Sequence, residues 1–295
     1  MPTALKDLEI SYDKPNWCPG CGDFGAWVAL KNAIVQLGLN PWEVVLVSGI
    51  GCSGKVPYWV KTYGFNGLHG RPMPPAEAIK LANHGLTVIV IGGDGDQYSE
   101  GGNHLLHAMR RNVDLTLIVH NNQVYGLTTG QYSPTTDIGV KNKATPDPVV
   151  EAPVNPISFA LAGGATFVAR GFAGDAKHDT ELLVEAVKHK GFAIIDTLQP
   201  CVTFNQKNTF SWFYERVYKI ENHDTSDKVA AFKLAEQWPL RVPLKEGEKE
   251  HIPTGIFYRE DRPTWHEQIP EIAQTPLVKH PIDNIDINPL LEELT

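Results

Sequence analysis

The sequence predicts an α/β fold, a mainly parallel sheet with helices on both faces. Two β-branched apolar runs carry that expectation, residues 86–91 (LTVIVI) and 115–120 (LTLIVH), each continuous enough to be covered on both sides. One helix fits between them. A strand–helix–strand crossover of that length is right-handed and lays the strands side by side or nearly so, with both C-terminal edges opening on one crevice, where ligands bind in such sheets. The first run breaks at Gly92-Gly93-Asp94-Gly95 and the second at Asn121-Asn122. Asp94 and Asn122 can therefore offer hard oxygen ligands to one Mg²⁺ carried on a diphosphate, while Gly93 and Gly95 let the backbone approach the phosphates. This is a diphosphate site without a Walker lysine.

The remaining elements follow in order. Residues 44–47 (VVLV) read as a strand and 76–82 as a helix after a Gly-rich stretch and Pro72. Residues 155–163 and 179–190 read as helices, the second with Leu182, Leu183, Ala186 and Val187 on one face; 165–168 and 192–198 supply further strands. This first domain is expected to end near 205. Residues 206–295 are richer in Pro, Trp and charge and form a C-terminal extension, either a flexible end or an arm packed on a partner subunit, with Ile256-Phe257-Tyr258 and Trp265 favouring the arm. No internal repeat or low-complexity segment is present.

Composition bounds the function. A chain of 295 residues is long enough for a sizeable α/β core. Its formal net charge of −8, with no basic tract, argues against nucleic acid or an anionic membrane as partner. The first residues, MPTALKDLEISYD, lack a charged and then apolar leader, and no run approaches the length of a bilayer span, so a cytoplasmic location is expected.

Cys18, Cys21, Cys52 and Cys201 are the only cysteines, and in that compartment disulfides between them are not expected. Four is the count of a metal site. All lie at loops or strand ends: Cys18 and Cys21 as a C-x₂-C among Pro and Gly, Cys52 in the 51–54 turn, and Cys201 after Pro200. A Cys₄ zinc site and a [4Fe–4S] cluster both suit the residues, although the long gaps lack the second close pair of a zinc ribbon; scattered buried thiols are a third reading.

The loop Gly49-Ile50-Gly51-Cys52-Ser53-Gly54-Lys55 nearly matches a P-loop, but Val56 replaces the metal-binding hydroxyl and Pro57 follows where a helix should begin. A nucleoside triphosphate site is therefore rejected. Lys55 reads either as a solvated lysine or as a ligand-facing one. His69 can hydrogen-bond a cofactor or be an ordinary loop histidine, and Arg71 can pair with a partner's carboxylate or make a local salt bridge. Asp96 can reach the ion through water or cap the following helix. Val124 has only its carbonyl for Mg²⁺, and Leu127 can support a cofactor or line a substrate pocket; as bare residues both read as core.

Gly93-Asp94-Gly95 followed by Asn121-Asn122 resembles the thiamine-diphosphate motif. With Cys18-Pro19-Gly20-Cys21-Gly22, His69-Gly70-Arg71 and the run from Asn121 to Thr128 (NNQVYGLT), residues 15–205 resemble the β subunit of 2-oxoacid:ferredoxin oxidoreductases, most of all the 2-oxoglutarate type. The resemblance implies the thiamine-diphosphate-binding fold. It implies that Asp94, Asn122 and Val124 hold Mg²⁺, that the four cysteines ligate a [4Fe–4S] cluster, and that Ile50, Gly51, Cys52, Ser53, His69, Gly93, Gly95, Asp96, Tyr125, Gly126, Leu127 and Thr128 contact thiamine diphosphate. Lys55 would face the 2-oxoacid and Leu127 its pocket.

A thiamine enzyme needs a carboxylate from a second, pyrimidine-binding domain, and this chain has length for one such domain. The resemblance therefore implies an α subunit with that Glu and most coenzyme A contacts, in an αβ or (αβ)₂ assembly. The expected reaction is reversible oxidative decarboxylation of a 2-oxoacid, with single electrons passing through the cluster to ferredoxin and coenzyme A taking the acyl group. 2-Oxoglutarate is favoured, because Lys55 can meet a distal carboxylate. Pyruvate or a broad range is the alternative. Two rivals from other classes are a non-oxidative thiamine decarboxylase or synthase with structural zinc, and a non-catalytic metal-stapled subunit.

Overall fold

The computed structural model describes residues 3–238, 251–281 and 286–294. Its strands are β1 (Val44–Ser48), β2 (Tyr63–Asn66), β3 (Thr87–Gly93), β4 (Leu115–Asn121), β5 (Val124–Tyr125), β6 (Gln131–Tyr132), β7 (Phe167–Phe172), β8 (Phe192–Leu198), β9 (Val217–Lys219) and β10 (Ile252–Arg259). Eight form one sheet in the order β2-β1-β3-β4-β8-β7-β10-β9, and β5 with β6 makes a small separate hairpin. The six strands from β2 to β7 are mutually parallel. β10 then runs antiparallel to β7, and β9 parallel to β10.

The apolar runs are buried on both faces for a visible reason. Val45, Val47, Val88, Val90, Leu115, Leu117 and Val119 point into one core, while Val44, Leu46, Ile89, Ile91 and Ile118 point into the other. The first core is closed by α2 (Met73–Ala82), α3 (Gly102–Arg111), α4 (Pro156–Gly163) and α7 (Lys228–Ala235), and the second by α1 (Asp23–Gln36) and α5 (Ala176–Lys188), while α6 (Phe210–Tyr214) buries Phe213 in a third, smaller cluster. Helix starts have local causes. Asn155 caps α4 by accepting from the amides of Ile157 and Ser158 with Pro156 at the first helical position, and Asp175 caps α5 through His178 N.

The expected strands and helices are present, with shifted ends. β7 begins later and runs farther than residues 165–168, through Arg170, whose side chain is fully buried. The larger difference concerns the C-terminal part. Ile256, Phe257 and Tyr258, expected on an arm over a partner, lie in β10 within this chain's own sheet, with Phe257 fully buried in the first core. The sheet therefore continues past residue 205. Trp265, the other residue expected on the arm, packs against the same core; residues 239–250, 282–285 and 295 of the extension lie outside the described residues. Among the described residues no helix is long and apolar enough to cross a membrane.

Candidate active site

Asp94 follows β3 and Asn122 follows β4, so neighbouring parallel strands bring both to the C-terminal edge of the sheet. They line one cleft. Its other walls are Ile50, Gly51, Cys52, Ser53, His69, Gly93, Gly95, Asp96, Val124, Tyr125, Gly126, Leu127 and Thr128, so the structure brings together every residue expected to touch the cofactor. Asp94 is almost wholly buried, and burial pushes its carboxyl up to about 6 despite hydrogen bonds from Ser133 and Thr135. A carboxylate so enclosed, with hydroxyls and its own backbone amide as donors and no cationic side chain among them, suits a bound cation.

The two asparagines divide their work. Asn121 turns inward, its amide donating to Asp196 Oδ1 (3.0 Å). Asn122 turns to the cleft, where its Oδ1 accepts from Val124 N (3.1 Å) and its Nδ2 donates to Gln199 Oε1 (3.0 Å). The two glycines also differ. A Cβ on Gly93 would stand 3.6 Å from Ser53 Oγ at the cleft wall, consistent with close approach by a ligand. On Gly95 it would strike the Tyr125 ring at 2.2 Å, so that glycine is required by Tyr125 rather than by phosphate.

Asp96 does not cap a helix. Its Oδ1 accepts from Ile50 N (3.0 Å) and Gly70 N (2.8 Å) and its Oδ2 from Gln97 Nε2 (2.6 Å), which ties the 49–51 loop to the 69–71 loop. Three donors thus hold its carboxylate in place. The five residues from Asp96 to Glu100 form a π-helical turn, a distortion frequent at functional sites. Arg71, exposed, donates through Nη1 to the carbonyls of Gly70 (3.0 Å) and Glu100 (2.6 Å), local bonds to backbone in place of a local salt bridge. His69 stands at the cleft mouth with Nδ1 3.4 Å from Glu100, to which Tyr125 OH also donates (3.0 Å).

A second cavity of about 150 Å³ abuts the cleft, and Cys18, Cys21, Cys52 and Cys201 all line it with Lys55 and Asp23. Cys52, Asn122, Gly126 and Leu127 belong to both cavities and form their common wall. Gly126 lies beside two of the thiols: a Cβ on it would make ordinary contacts, 3.7 Å from Cys201 Sγ and 3.8 Å from Cys52 Sγ.

Among the described residues no three His, Cys, Asp or Glu converge closely enough to hold a single metal ion. The cavity of about 150 Å³ leaves room for a metal centre among the four cysteines that line it. Four thiols spread around such a space fit a larger inorganic core. Burial pushes the Cys52 thiol up to about 12, that of Cys21 well above the ordinary range, and that of Cys201 upward, so nearby positive charge would favour their thiolates. The amides of residues 203–205 point at Cys201 Sγ and favour its thiolate.

Lys55 lies on the cysteine side of the common wall, where its ammonium donates to Asn16 Oδ1 (3.1 Å). Sequence reasoning missed several residues that shape the site. Asp23, fully buried, stands 2.6 Å from His120 Nδ1 and accepts from Cys21 Sγ (3.3 Å), and Gln199 links Cys21 to Asn122. Ser133, Thr135, Glu100 and Asp196 were likewise not singled out. The position of Asp23 and His120, each within a few residues of a motif, was the available signal for that pair.

Fold and cleft together define a thiamine-dependent enzyme domain. Residues 49–197 match the family described as thiamine pyrophosphate enzyme, C-terminal TPP binding domain, and residues 201–274 match the C-terminal family of the pyruvate ferredoxin oxidoreductase beta subunit. The chain is 49% identical over 270 residues to a 2-oxoacid:ferredoxin oxidoreductase subunit beta of Saccharolobus solfataricus, covering 90% of this chain and 87% of that one. It is 47% identical over 205 residues to the 2-oxoglutarate oxidoreductase subunit KorB of Mycobacterium tuberculosis, covering 70% and 55%. A solved 2-oxoglutarate:ferredoxin oxidoreductase from Magnetococcus marinus, with 2-oxoglutarate, coenzyme A and succinyl-CoA bound, superposes with a TM-score of 0.88 at 37% identity, covering 99% of this chain and 96% of that chain. The chain belongs to the β subunits of the 2-oxoacid:ferredoxin oxidoreductases.

Proposed function

We propose that this subunit holds thiamine diphosphate, Mg²⁺ and a [4Fe–4S] cluster for the CoA-dependent oxidative decarboxylation of 2-oxoglutarate, passing single electrons to ferredoxin. The observation that carries the reading is the common wall of Cys52, Asn122, Gly126 and Leu127, which sets a diphosphate cleft directly against a four-cysteine cavity. Thiamine diphosphate supplies the carbanion chemistry at the 2-oxo carbon, and the cluster accepts electrons one at a time.

The chain's own residues then have defined tasks. Asp94, Asn122 and the Val124 carbonyl hold Mg²⁺; Gly93 and Ser53 admit the diphosphate. Ile50 and Leu127 support the cofactor's apolar parts, and His69, Tyr125 and Thr128 line its entrance. Cys18, Cys21, Cys52 and Cys201 hold the cluster within short reach of the cofactor. Lys55 carries an ammonium whose side-chain hydrogen-bond partner is the neutral Asn16, with no carboxylate in ion-pair distance among the described residues, so it is free to meet a substrate carboxylate.

A partner α subunit would complete the site with the pyrimidine-side Glu and most coenzyme A contacts, in an αβ or (αβ)₂ assembly in the cytoplasm. The exposed Leu290, Leu291 and Leu294 of the C-terminal extension are candidates for packing on it. A broader substrate range is the second reading, favoured by relatives named only for 2-oxoacids.

The test is spectroscopic. The αβ complex purified without oxygen should be brown, and 2-oxoglutarate with coenzyme A should bleach its visible absorbance and reduce added ferredoxin. A colourless, zinc-containing complex that decarboxylates without reducing ferredoxin would establish the non-oxidative rival. A complex that binds no thiamine diphosphate would leave the chain a non-catalytic subunit.

A further inference from the structure

Beneath the cleft, a turn that no motif marks grips the buried carboxylate. Ser133-Pro134-Thr135-Thr136 is a β-turn, closed by Thr136 N donating to Ser133 O (3.1 Å), with Pro134 at the position where its fixed φ suits a turn. The turn presents hydroxyls to one side. Ser133 Oγ and Thr135 Oγ1 each donate to Asp94 Oδ2 at 2.5 Å, and Thr135 Oγ1 also stands 2.9 Å from Asn121 Oδ1. A hydroxyl has one proton, which goes to the nearer, charged oxygen.

The turn is itself held at several points. Ser133 N donates to Thr136 Oγ1 (2.8 Å), Thr136 Oγ1 to Gln123 O (2.6 Å), Gln123 Nε2 to Thr135 O (2.8 Å), and Val154 N to Pro134 O (2.8 Å). Gln123 takes a positive φ of 58° to make these bonds, directly after the two asparagines. Ser133, Thr135, Thr136 and Gln123 are all buried. One short segment therefore clamps the ends of β3 and β4 together from below, and its two hydroxyls meet on a single carboxylate oxygen.

We propose that Ser133 and Thr135 are positioning residues for the metal site: they occupy Asp94 Oδ2, so that Oδ1 is the oxygen presented to the cation, in a fixed orientation. The proposal rests on Asp94 being a Mg²⁺ ligand of the diphosphate site. Neither hydroxyl is assigned to the cofactor itself. Their effect is exerted through Asp94, as outer partners of ligating carboxylates act in metal sites generally.

The experiment uses the αβ complex, stripped of Mg²⁺ and thiamine diphosphate by chelator and dialysis, and titrates Mg²⁺ calorimetrically at fixed thiamine diphosphate. Thr135→Val and Ser133→Ala should each raise the Mg²⁺ Kd roughly 10–100-fold, the range usual for outer partners of metal ligands, while Thr135→Ser should stay close to the parent because it keeps the hydroxyl. Melting of the stripped complexes and their cluster absorbance should change little. Should Thr135→Val fail to assemble, Ser133→Ala removes one hydroxyl from an otherwise intact turn and carries the test.

Parental Mg²⁺ affinity in the folded Val and Ala variants, with binding lost in Asp94→Ala, overturns the positioning role and leaves the metal site standing. A variant whose melting falls while its Mg²⁺ Kd does not move also overturns it, since the turn is then merely structural. If Asp94→Ala binds Mg²⁺ and thiamine diphosphate as the parent does, the reading of the diphosphate site itself has failed.

Discussion

Cys52 is the residue on which the two cavities depend most, because its thiol lies in their common wall while its backbone carbonyl accepts from Trp17 Nε1 (2.8 Å). Cys52→Ala removes a cluster ligand and leaves Asp94 and Asn122 untouched. The variant complex should lose most visible absorbance and ferredoxin reduction while retaining thiamine diphosphate. Full iron content with normal electron transfer would take Cys52 out of the ligand set. Lys55 gives a second test at this scale. Lys55 is only partly buried, so its pair with a distal carboxylate is partly screened; Lys55→Met should lower kcat/KM for 2-oxoglutarate roughly tenfold or more and that for pyruvate far less. An equal fall for both substrates would give Lys55 a general role beside the cofactors. What was legible here followed chemistry. Asp94 and Asn122 announced themselves at strand ends, and the cysteines by their count, although nothing in the spacing of Cys52 and Cys201 says that Gly126 lies beside both. Ser133 and Thr135 were silent, because in sequence a Ser-Pro-Thr-Thr run signals a turn and does not say which carboxylate the turn faces.

Among the elements, the two-sided strands were readable because most of their positions are β-branched or otherwise apolar, whereas β7 was obscured where it carries Ala169-Arg170-Gly171. Arg170 belongs in that strand because Asp196 of neighbouring β8 accepts from its Nε (3.3 Å) and the Trp238 and Phe257 rings lie against its guanidinium. Such compensation is invisible to a hydropathy pattern. Gly171 has its own reason, since a Cβ there would fall 2.0 Å from Asp179 Oδ1 of α5, the oxygen that accepts from Phe172 N at 2.7 Å. That carboxylate anchors the helix to the strand at a cost that depends on pH. Burial pushes the Asp179 carboxyl from its ordinary 3.8 up to about 7 in the folded chain. The folded state thus holds this proton to higher pH than the unfolded state. Stability from the group is full below about 4 and is lost as pH rises through about 7. Asp179→Asn does not titrate, so its stability relative to the parent should improve by a few kcal/mol, roughly 2–4, between about pH 4.5 and pH 8 in chemical denaturation. A difference that stays constant across that interval would mean that Asp179 is not buried as an acid.

At the scale of the whole molecule, the sheet joins the diphosphate domain to the C-terminal segment, and the sequence hid this because β10 contains Pro253 and Gly255, which read as breaks. In the fold Gly255 takes a φ of 136° and β10 shifts register against β7 between Ile256 and Tyr258, so the irregular residues sit at an irregular step of the ladder. The consequence is a prediction about truncation. Cutting after residue 205 removes β10, exposes the β7 edge, and strips Ala231, Ala235, Phe257 and Tyr258 from the first core. It also removes Trp238 and Phe257 from Arg170, opening the buried pair with Asp196 to solvent. Each large apolar side chain is worth about 1.5–3 kcal/mol of burial, and Ile252, Phe257 and Trp238 alone approach the roughly 5–15 kcal/mol that holds a whole domain together. Residues 1–205 by themselves should therefore lack cooperative melting and near-ultraviolet dichroism and should aggregate through the bared edge. Ending the chain after residue 281 instead removes, among the described residues, the helix α8 (Asn288–Glu292) and its neighbours, none of them buried, and should leave the isolated subunit's melting temperature within a few degrees of the parent's. A soluble, cooperatively folded 1–205 fragment that still binds thiamine diphosphate would show that the diphosphate domain is self-sufficient and that β10 is an addition to it.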